Sequence, residues 1–303
     1  MIHFYYGDNG FGLKRQVDAV TAKFAEKYGT ENIGKINSDM IDPQNLMAEI
    51  VNINLFMPNR LMVLDDLSIN KIAWEALRNC LSRIPDETDL IIVESKPDKR
   101  TKTFKELKKV AKCREFLLPK NNDLTEFVLR EAADNRVEIK RDAVNELIIY
   151  TGGDPWRIVS EIAKFQALDK VVTSEIVRTL VEPELEASAF QLLDDLLAGR
   201  NEQVMNELAK LRQVEDAGRF LGLLASQIFA LSTAINSERR SSGEVATEMG
   251  VHPFVMSKMF TVARRIKTTE IAHIAELIAE ADAKMKSTGA DPWTLIELTL
   301  RKI

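Results

Sequence analysis

Five short strand-like runs in the first 118 residues, most of them rich in apolar residues, constrain the fold more than any other feature of this chain. Helical patterns lie between these runs, at Pro43–Val51, Lys71–Leu81 and Thr103–Cys113. Strands that alternate with helices and are apolar on both faces are typical of a parallel sheet covered by helices on both sides. The N-terminal part is therefore predicted to be an α/β domain with a parallel sheet. Its predicted strands are Ile2–Tyr6, Ile33–Asn37, Arg60–Asp65, Asp89–Ser95 and Arg114–Leu118.

The strand patterns stop at a polar stretch, residues 119–123, and everything after it has helical spacing. Four helical segments lie between Leu124 and Val181, about the size of a small helical domain, and Pro183 then marks a second boundary. From Leu185 to Ile303 the pattern remains helical. We predict three domains: an α/β domain over 1–120, a small all-α domain over 121–183 and a larger all-α domain over 184–303.

Charge and composition disfavour several classes of function for this chain. The chain has a formal net charge of −5 and a pI near 5.5, so nucleic acid is not expected to be the dominant partner of the whole surface. Cys80 and Cys113 are far apart and the chain has three histidines, so neither a disulfide nor a metal site is expected. The opening MIHFYYGDNG lacks the pattern of a signal peptide, and no run approaches the length of a membrane span. We expect a cytoplasmic protein without a membrane partner.

A glycine-rich loop, Gly7–Lys14, follows the first predicted strand. A nucleotide-binding P-loop has the pattern G-x-x-x-x-G-K-[ST], in which backbone N–H groups and the lysine hold phosphates and the hydroxyl holds magnesium. Gly7 and Gly12 have the required spacing, but Leu13 occupies the lysine position and Lys14 the hydroxyl position. The sequence therefore predicts a degenerate P-loop that does not hydrolyse ATP, and no cofactor.

Two further positions match the layout of an ATPase without completing a site that would bind metal or sense phosphate. Asp65 and Asp66 follow an apolar strand, as the metal-holding acidic residues of NTPases do, but without P-loop partners an ordinary helix cap is favoured. AAA+ ATPases often carry a phosphate-sensing arginine in a G-x-x-R arrangement. Counting from Gly153 places Trp156 in that sensor-2 position, and Arg157 lies one residue further along.

Five segments in the same order resemble the delta subunit family of the bacterial DNA polymerase III clamp loader. The chain opens with IHFYYGDNGFGLKRQVDAV, similar to the family's first strand, non-functional loop and helix. The segment NLFMPNRLMVLDD, from Asn54 to Asp66, resembles the family's apolar pair before a basic residue and a strand. The other three segments, one of them in two pieces, are Thr151–Phe165, Ala189–Leu211, and Gly250–Ile266 with Glu280–Leu300.

This resemblance implies a RecA-like (AAA+-type) domain, a small all-α lid and an all-α C-terminal collar. It also implies a hetero-oligomer with gamma/tau and delta-prime subunits that binds and opens the beta sliding clamp and loads it onto primed DNA. The clamp-binding residues would be Leu55 and Phe56 with the adjacent Met57. Composition alone favours a place for Leu55 and Phe56 in the core of their own domain, and the resemblance reverses this preference. Val51 stands where some clamp-binding motifs have a Gln, which leaves the clamp affinity open.

Alternatives from other classes remain at this point. Ala246–Val255 has the loose spacing of a helix-turn-helix, which would make the chain a DNA-binding regulator. Its second helix would, however, offer Phe254, Met256 and other apolar side chains where polar ones are needed to contact base edges. The enzyme-class alternative is an active P-loop ATPase, which Leu13 disfavours. The basic stretch Lys99–Arg114 is typical of a solvated helix face, and DNA contact is its alternative function.

Overall fold

A computed structural model describes residues 1–37, 45–51, 59–119, 122–237, 240–249, 251 and 253–303. The chain divides into two compact units, Met1–Pro119 and Lys120–Ile303. The predicted three-domain division, at residues 120 and 183, stays a prediction. The second unit contains the helices from both sides of residue 183.

The first unit contains a parallel sheet with strand order β2-β3-β4-β1-β5 among its described residues. The strands are β1 (Ile2–Tyr6), β2 (Ile33–Asn37), β3 (Arg60–Asp65), β4 (Thr88–Glu94) and β5 (Lys112–Glu115). The helices are α1 (Gly10–Tyr28), α2 (Leu46–Val51), α3 (Lys71–Cys80) and α4 (Lys102–Val110).

Alternation of side chains along the central strands gives the sheet two apolar faces. On one face Tyr5 and Val63 pack with Leu13 and Phe24 of α1. On the opposite face a larger cluster combines strand residues with side chains from α2, α3 and α4. Its members include Phe4, Leu46, Ile50, Met62, Leu64, Trp74, Leu77, Leu90, Ile92, Phe104 and Leu107. This two-faced burial explains why β3 and β4 are apolar runs rather than alternating ones.

Three strands have the predicted bounds, and the other two are shifted. Strand β4 begins and ends one residue earlier than predicted. Strand β5 occupies Lys112–Glu115 instead of Arg114–Leu118, so the predicted strand was wrong by two to three residues. Among the described residues β5 pairs with β1 alone, at the sheet edge, and its side chains are mostly exposed. Its sequence therefore lacks the apolar pattern of a buried strand.

The second unit is helical throughout its described residues apart from one isolated bridge, Ile139 to Val172. The four helices predicted between Leu124 and Val181 are α5 (Asn122–Asp134), α6 (Arg141–Tyr150), α7 (Pro155–Phe165) and α8 (Ser174–Leu180). They are followed by α9 (Leu185–Leu197), α10 (Asn201–Val214), α11 (Ala217–Ile235), α12 (Ser242–Met249), α13 (Pro253–Ala263), α14 (Thr268–Ser287) and α15 (Pro292–Leu300).

Two apolar clusters fill the second unit. One is built from α5 to α8 and includes Ile158, Ile162 and Phe165, and the other is built from α9 to α15. Val255 of α13 packs against both clusters, so the two sets of helices share a contact. This arrangement explains the single compact unit.

Helix α11 corrects the expectation that no run is as long as a membrane span. Among the described residues, this helix is long and apolar enough to cross a bilayer by length and composition alone. The core helix of a globular protein has the same properties. In this structure α11 contributes Phe220, Leu224, Ile228 and Leu231 to the cluster of α9 to α15.

Candidate functional site

The degenerate P-loop lies between β1 and α1, and its first glycine is required by the backbone. Gly7 has φ of +136°, and a Cβ atom there would lie 2.0 Å from the carbonyl oxygen of Phe116. The Gly7 N–H donates to the carbonyl of Glu94 at 3.0 Å. Gly7 therefore lets the segment that follows β5 lie close to the loop backbone. A residue with a side chain at this position would clash with that segment.

Asn9 is the N-cap of α1. Its Oδ1 accepts a hydrogen bond from the Gly12 N–H at 2.8 Å. In a P-loop, N–H groups at this end of the helix hold phosphate oxygens. Here the Gly12 N–H already has an acceptor from within the chain. Asn9 was not predicted as a functional position, although Asn is a preferred N-cap residue.

The segment Phe116–Leu118 crosses the same loop and forms three hydrogen bonds with it. The Asn9 N–H donates to the Phe116 carbonyl at 3.1 Å, and the Asn9 Nδ2 donates to the Leu117 carbonyl at 3.2 Å. The Leu118 N–H donates to Oδ1 of Asp8 at 2.8 Å. The polar groups of Asp8 and Asn9 are thus committed to the chain itself. Neither this segment nor Asp8 was predicted to take part in the site.

Leu13 and Lys14, at the two diagnostic P-loop positions, have other roles in the structure. Leu13 is 4% exposed and packs against Tyr5 in the core between α1 and the sheet. Lys14 is exposed and its Nζ lies 2.9 Å from Oδ2 of Asp18, one helical turn along α1. The residues of this loop do not fit a magnesium–nucleotide complex, because the lysine position faces the core and the hydroxyl position has no hydroxyl.

The two acidic residues at the end of β3 have structural partners, and Asp66 fixes the turn that follows the strand. Asp66 has φ of +49°, and its Oδ1 accepts hydrogen bonds from the Ser95 N–H at 2.7 Å and the Ser95 hydroxyl at 2.8 Å. Asp65 lies 3.2 Å from Nζ of Lys35. The predicted helix-cap role of this pair needs a correction, because Asn70 caps α3 by accepting from the Ile72 and Ala73 N–H groups.

Glu94, at the end of β4, is a buried carboxyl group that sequence reasoning missed. It is fully buried, and its two oxygens accept from the Ser68 N–H at 3.0 and 3.2 Å. Burial raises the pKa of Glu94 from 4.5 to about 7, because the charged form loses hydration that the Ser68 hydrogen bond only partly replaces. An acidic residue at a strand end is usually solvated, so no sequence pattern indicated this burial.

The sensor-2 position lies in the second unit at the start of α7. Trp156 is 48% exposed, and its backbone N–H donates to Oδ1 of Asp154, the N-cap of this helix. Arg157 donates from Nη1 to Oε1 of Glu184 and from Nη2 to the Glu182 carbonyl, both at 2.7 Å. The arginine nearest the sensor position therefore ties α7 to the segment before α9.

The predicted clamp-binding residues Leu55, Phe56 and Met57 lie outside the described residues. The elements on both sides of them are described. Helix α2 ends at Val51 with Ile50 fully buried, and β3 begins at Arg60. The Arg60 side chain donates to the Glu49 carbonyl at 2.8 Å, which holds the end of α2 next to the start of β3.

The helix-turn-helix alternative is disfavoured by the packing of its second helix. Met256 and Met259 of α13 are at most 1% exposed and belong to the cluster of α9 to α15. A recognition helix needs an exposed polar face for the bases. In α13 the positions that would face DNA are used in the core.

Comparison with known families adds what geometry alone does not give. Residues 3–116 match the family described as DNA polymerase III, delta subunit, and residues 186–303 match the DNA polymerase III delta subunit, C-terminal domain. The chain belongs to the DNA polymerase III delta subunit family. The resemblance noted from the sequence is thereby confirmed, and the two matches together span most of the chain.

Individual relatives agree with this membership in the delta family. The DNA polymerase III subunit delta of Bacillus subtilis is 27% identical over 220 residues, which cover 71% of this chain and 63% of that relative. The match thus spans less than two thirds of the relative's own length. The solved Bacillus subtilis DNA clamp loader delta protein is 20% identical, with a TM-score of 0.60, over 99% of this chain and 94% of that chain.

The structural likeness establishes the delta-family fold. The predicted parallel-sheet domain followed by helical parts is confirmed, and its RecA-like (AAA+-type) character stays a prediction. A RuvB mutant from Thermotoga maritima gives a TM-score of 0.40 at 13% identity, over 87% of this chain and 79% of that chain, a value too low to support an argument.

Proposed function

We propose that this delta-family chain binds the beta sliding clamp and holds one ring interface open for loading onto primed DNA, without hydrolysing ATP. The observation that carries the proposal is the combination of delta-family membership with a phosphate loop whose Gly12 N–H is bonded to Asn9. A family member that retains the AAA+-type layout but has no nucleotide site of its own is suited to a mechanical role.

The clamp-binding element in this proposal is the apolar segment Leu55–Met57. Two large apolar side chains placed in a partner's pocket would contribute roughly 3–6 kcal/mol, at about 1.5–3 kcal/mol for each. Surface charge pairs would contribute much less. The Arg60 to Glu49 hydrogen bond supports this assignment, because it fixes the two ends of the connection that carries the segment.

The partners in this proposal are the gamma/tau and delta-prime subunits, which would hydrolyse ATP in the assembly. The helices from α9 to α15 would form the collar that contacts them. An exposed Phe229, 67% accessible on α11, supports a partner surface on these helices. A DNA polymerase III subunit works in the bacterial cytoplasm, and this is the proposed location.

The double variant Leu55→Ala, Phe56→Ala tests the clamp-binding element. We expect it to lose binding to the cognate beta clamp in surface plasmon resonance while its melting curve stays unchanged. A matched control is Ile69→Ala, Ile72→Ala, which removes another neighbouring apolar pair from the same unit. Both control side chains are 71% exposed in the structure.

The control variant should bind the clamp as the wild type does. If the Leu55/Phe56 variant melts much earlier and still binds where it remains folded, the pair belongs to the core and the proposed element is wrong. If wild-type protein does not retain the beta clamp at all, the proposed function itself is wrong.

A further inference from the structure

The positive charge of this acidic protein is concentrated in one segment of the first unit. Residues Lys96–Arg114 contain nine lysines and arginines and two acidic residues, a net charge of +7. The whole chain has a net charge of −5, so the remaining residues together carry −12. A local excess of this size attracts a polyanion even when the whole protein is acidic.

Helix α4 displays part of this charge on a firmly anchored scaffold. Its inner face buries Phe104 and Leu107 in the core against the sheet. Its first turn is fixed by Thr101, whose hydroxyl accepts from the Phe104 N–H, and by Thr103, whose hydroxyl donates to the Trp74 carbonyl at 2.9 Å. The exposed side chains of α4 therefore extend from a helix backbone that is held in a fixed position.

Three exposed lysines of α4 form one stripe, defined as Lys102, Lys105 and Lys109. Steps of three and four residues keep side chains on one helix face, within about 60° of each other at 100° per residue. With a rise of 1.5 Å per residue the stripe is about 10 Å long. One strand of DNA advances about 3.4 Å per phosphate, so the stripe can follow about three phosphates.

The ion pairs around the stripe leave most of its charge available. Lys109 lies 3.2 Å from Glu106, and both side chains are exposed, so this pair is weak. Lys102 and Lys105 have no ion-pair partner in the described part of the chain. A merely solvated helix face usually carries acidic residues that alternate with the lysines, and α4 has one, Glu106.

We propose that the lysine stripe of α4 binds the phosphate backbone of DNA without contacting base edges. This proposal rests on the proposed function. It assigns to the stripe a contact with the DNA onto which the clamp is loaded. The composition favours DNA over an acidic protein partner. A protein interface is usually centred on aromatic or arginine anchors, whereas the stripe consists of lysines, and the large exposed apolar side chain between Lys96 and Arg114 is Val110.

The test is fluorescence anisotropy with a labelled 20-base-pair duplex of random sequence, titrated with the full chain at 50 mM salt. Non-specific binding of this kind has a Kd of about 10⁻⁴–10⁻⁶ M, so titrations extend to about 200 µM protein. The variant is Lys102→Ala, Lys105→Ala, Lys109→Ala. The matched control, Lys210→Ala, Lys284→Ala, Lys286→Ala, removes the same charge from exposed lysines of the second unit.

We expect the α4 variant to bind at least tenfold more weakly and the control to stay within about twofold of wild type. The slope of log K against log salt should become shallower by about 2.7 in the α4 variant, at about 0.9 for each phosphate that is no longer neutralised. Equal affinity of the α4 variant and wild type, or an equal loss in both variants, would overturn the proposal.

Binding to the beta clamp, measured on the same samples, separates this proposal from the proposed function. The α4 variant should bind the clamp normally, because the stripe is distinct from Leu55 and Phe56. A variant that loses clamp binding and keeps DNA binding would identify the stripe as a protein-binding surface and overturn the DNA assignment. If wild type binds DNA through the stripe but not the clamp, the proposed function fails and the stripe remains a DNA contact.

Discussion

Oδ1 of Asn9 lies 2.8 Å from the backbone nitrogen of Gly12 and accepts its hydrogen bond. This one contact places a side-chain carbonyl where a P-loop would place a phosphate oxygen. It also stabilises the start of α1 without any ligand, because an N-cap satisfies N–H groups that the helix itself leaves unpaired. The loop thus has a glycine-containing backbone turn, while the polar groups of Asp8, Asn9 and Gly12 form hydrogen bonds within the chain.

The isolated protein should show no ATP hydrolysis above background. Leu13 is buried in the core and Lys14 is paired with Asp18, so neither supplies the phosphate contact or the magnesium hydroxyl. Phosphate release measured with purified protein is the direct assay. Release that disappears in a Gly12→Ala variant would show an active site in this loop and contradict the prediction.

Asn9→Ala should destabilise the first unit by about 1 kcal/mol, the usual cost of losing an N-cap. Asn9→Asp is the matched control, since it keeps an oxygen acceptor for the Gly12 N–H and removes the Nδ2 donor to the Leu117 carbonyl. Urea unfolding of both variants separates the two contributions. If Asn9→Asp lost as much stability as Asn9→Ala, the hydrogen bond to Leu117 would matter more than the cap.

Much of the fold could be predicted because its central strands and long helices carry strong periodic patterns. Strands β1, β2 and β3 and the four helices α5 to α8 were all placed in order. The break between α13 and α14 was not predicted. There Lys267 is the N-cap, and half of a capping box is present: Glu270 accepts from the Lys267 N–H, while the Glu270 N–H donates to the backbone carbonyl of Lys267 at 3.0 Å.

The candidate site was predictable only in part. A sequence motif shows which expected residue is absent, but it does not show which contacts form in its place. The absence of a lysine at position 13 of the P-loop is visible in the sequence. The hydrogen bonds of Phe116–Leu118 with Asp8 and Asn9 join positions more than one hundred residues apart, and no local pattern indicates them. The roles of Leu55, Phe56 and Met57 stay predictions.

Glu94 should make the stability of the first unit fall as pH rises from about 4.5 to about 7. The folded state holds a proton on this carboxyl up to its raised pKa of about 7, whereas the unfolded chain releases it near 4.5. The stabilisation is thus complete below about pH 4.5 and is lost above about pH 7. A pKa difference of this size corresponds to about 3 kcal/mol.

Glu94→Gln should remove this pH dependence, because the amide cannot ionise but still offers an oxygen to the Ser68 N–H. Hydrogen exchange of the β4 amides, corrected for intrinsic rates, measures the effect between pH 5 and pH 8. Glu115→Gln on β5 is the control. Its carboxylate is exposed and paired with Lys99 at 2.7 Å, which lowers its pKa. Identical pH profiles for wild type and Glu94→Gln would show that Glu94 is not the titrating group.

Glu146 should couple the helices on both sides of the predicted boundary at residue 183. This residue of α6 is 3% exposed, and its carboxylate lies 2.8 Å from Nε of Arg178 on α8 and 3.3 Å from Nζ of Lys258 on α13. Replacing Glu146 with Ala should destabilise the second unit by about 2 kcal/mol, since hydrogen bonds to charged groups are worth about 1.5–3 kcal/mol and both cations are partly solvated.

A double-mutant cycle isolates the part of this network that joins α6 to α13. Glu146→Gln keeps the side-chain volume. Lys258→Met keeps most of the apolar stem but also removes the ammonium group that lies 5.6 Å from the centroid of the Phe190 ring. Because the carboxylate is buried and the ammonium is mostly so, we expect a coupling free energy of about 0.5–1 kcal/mol between the two positions, measured by urea unfolding. The pair Glu146→Gln with Arg178→Met provides the comparison within α6 to α8.

A coupling near zero for position 258 alongside a clear coupling for position 178 would mean that the two sets of helices are energetically independent. In that case the predicted 184–303 domain could fold by itself.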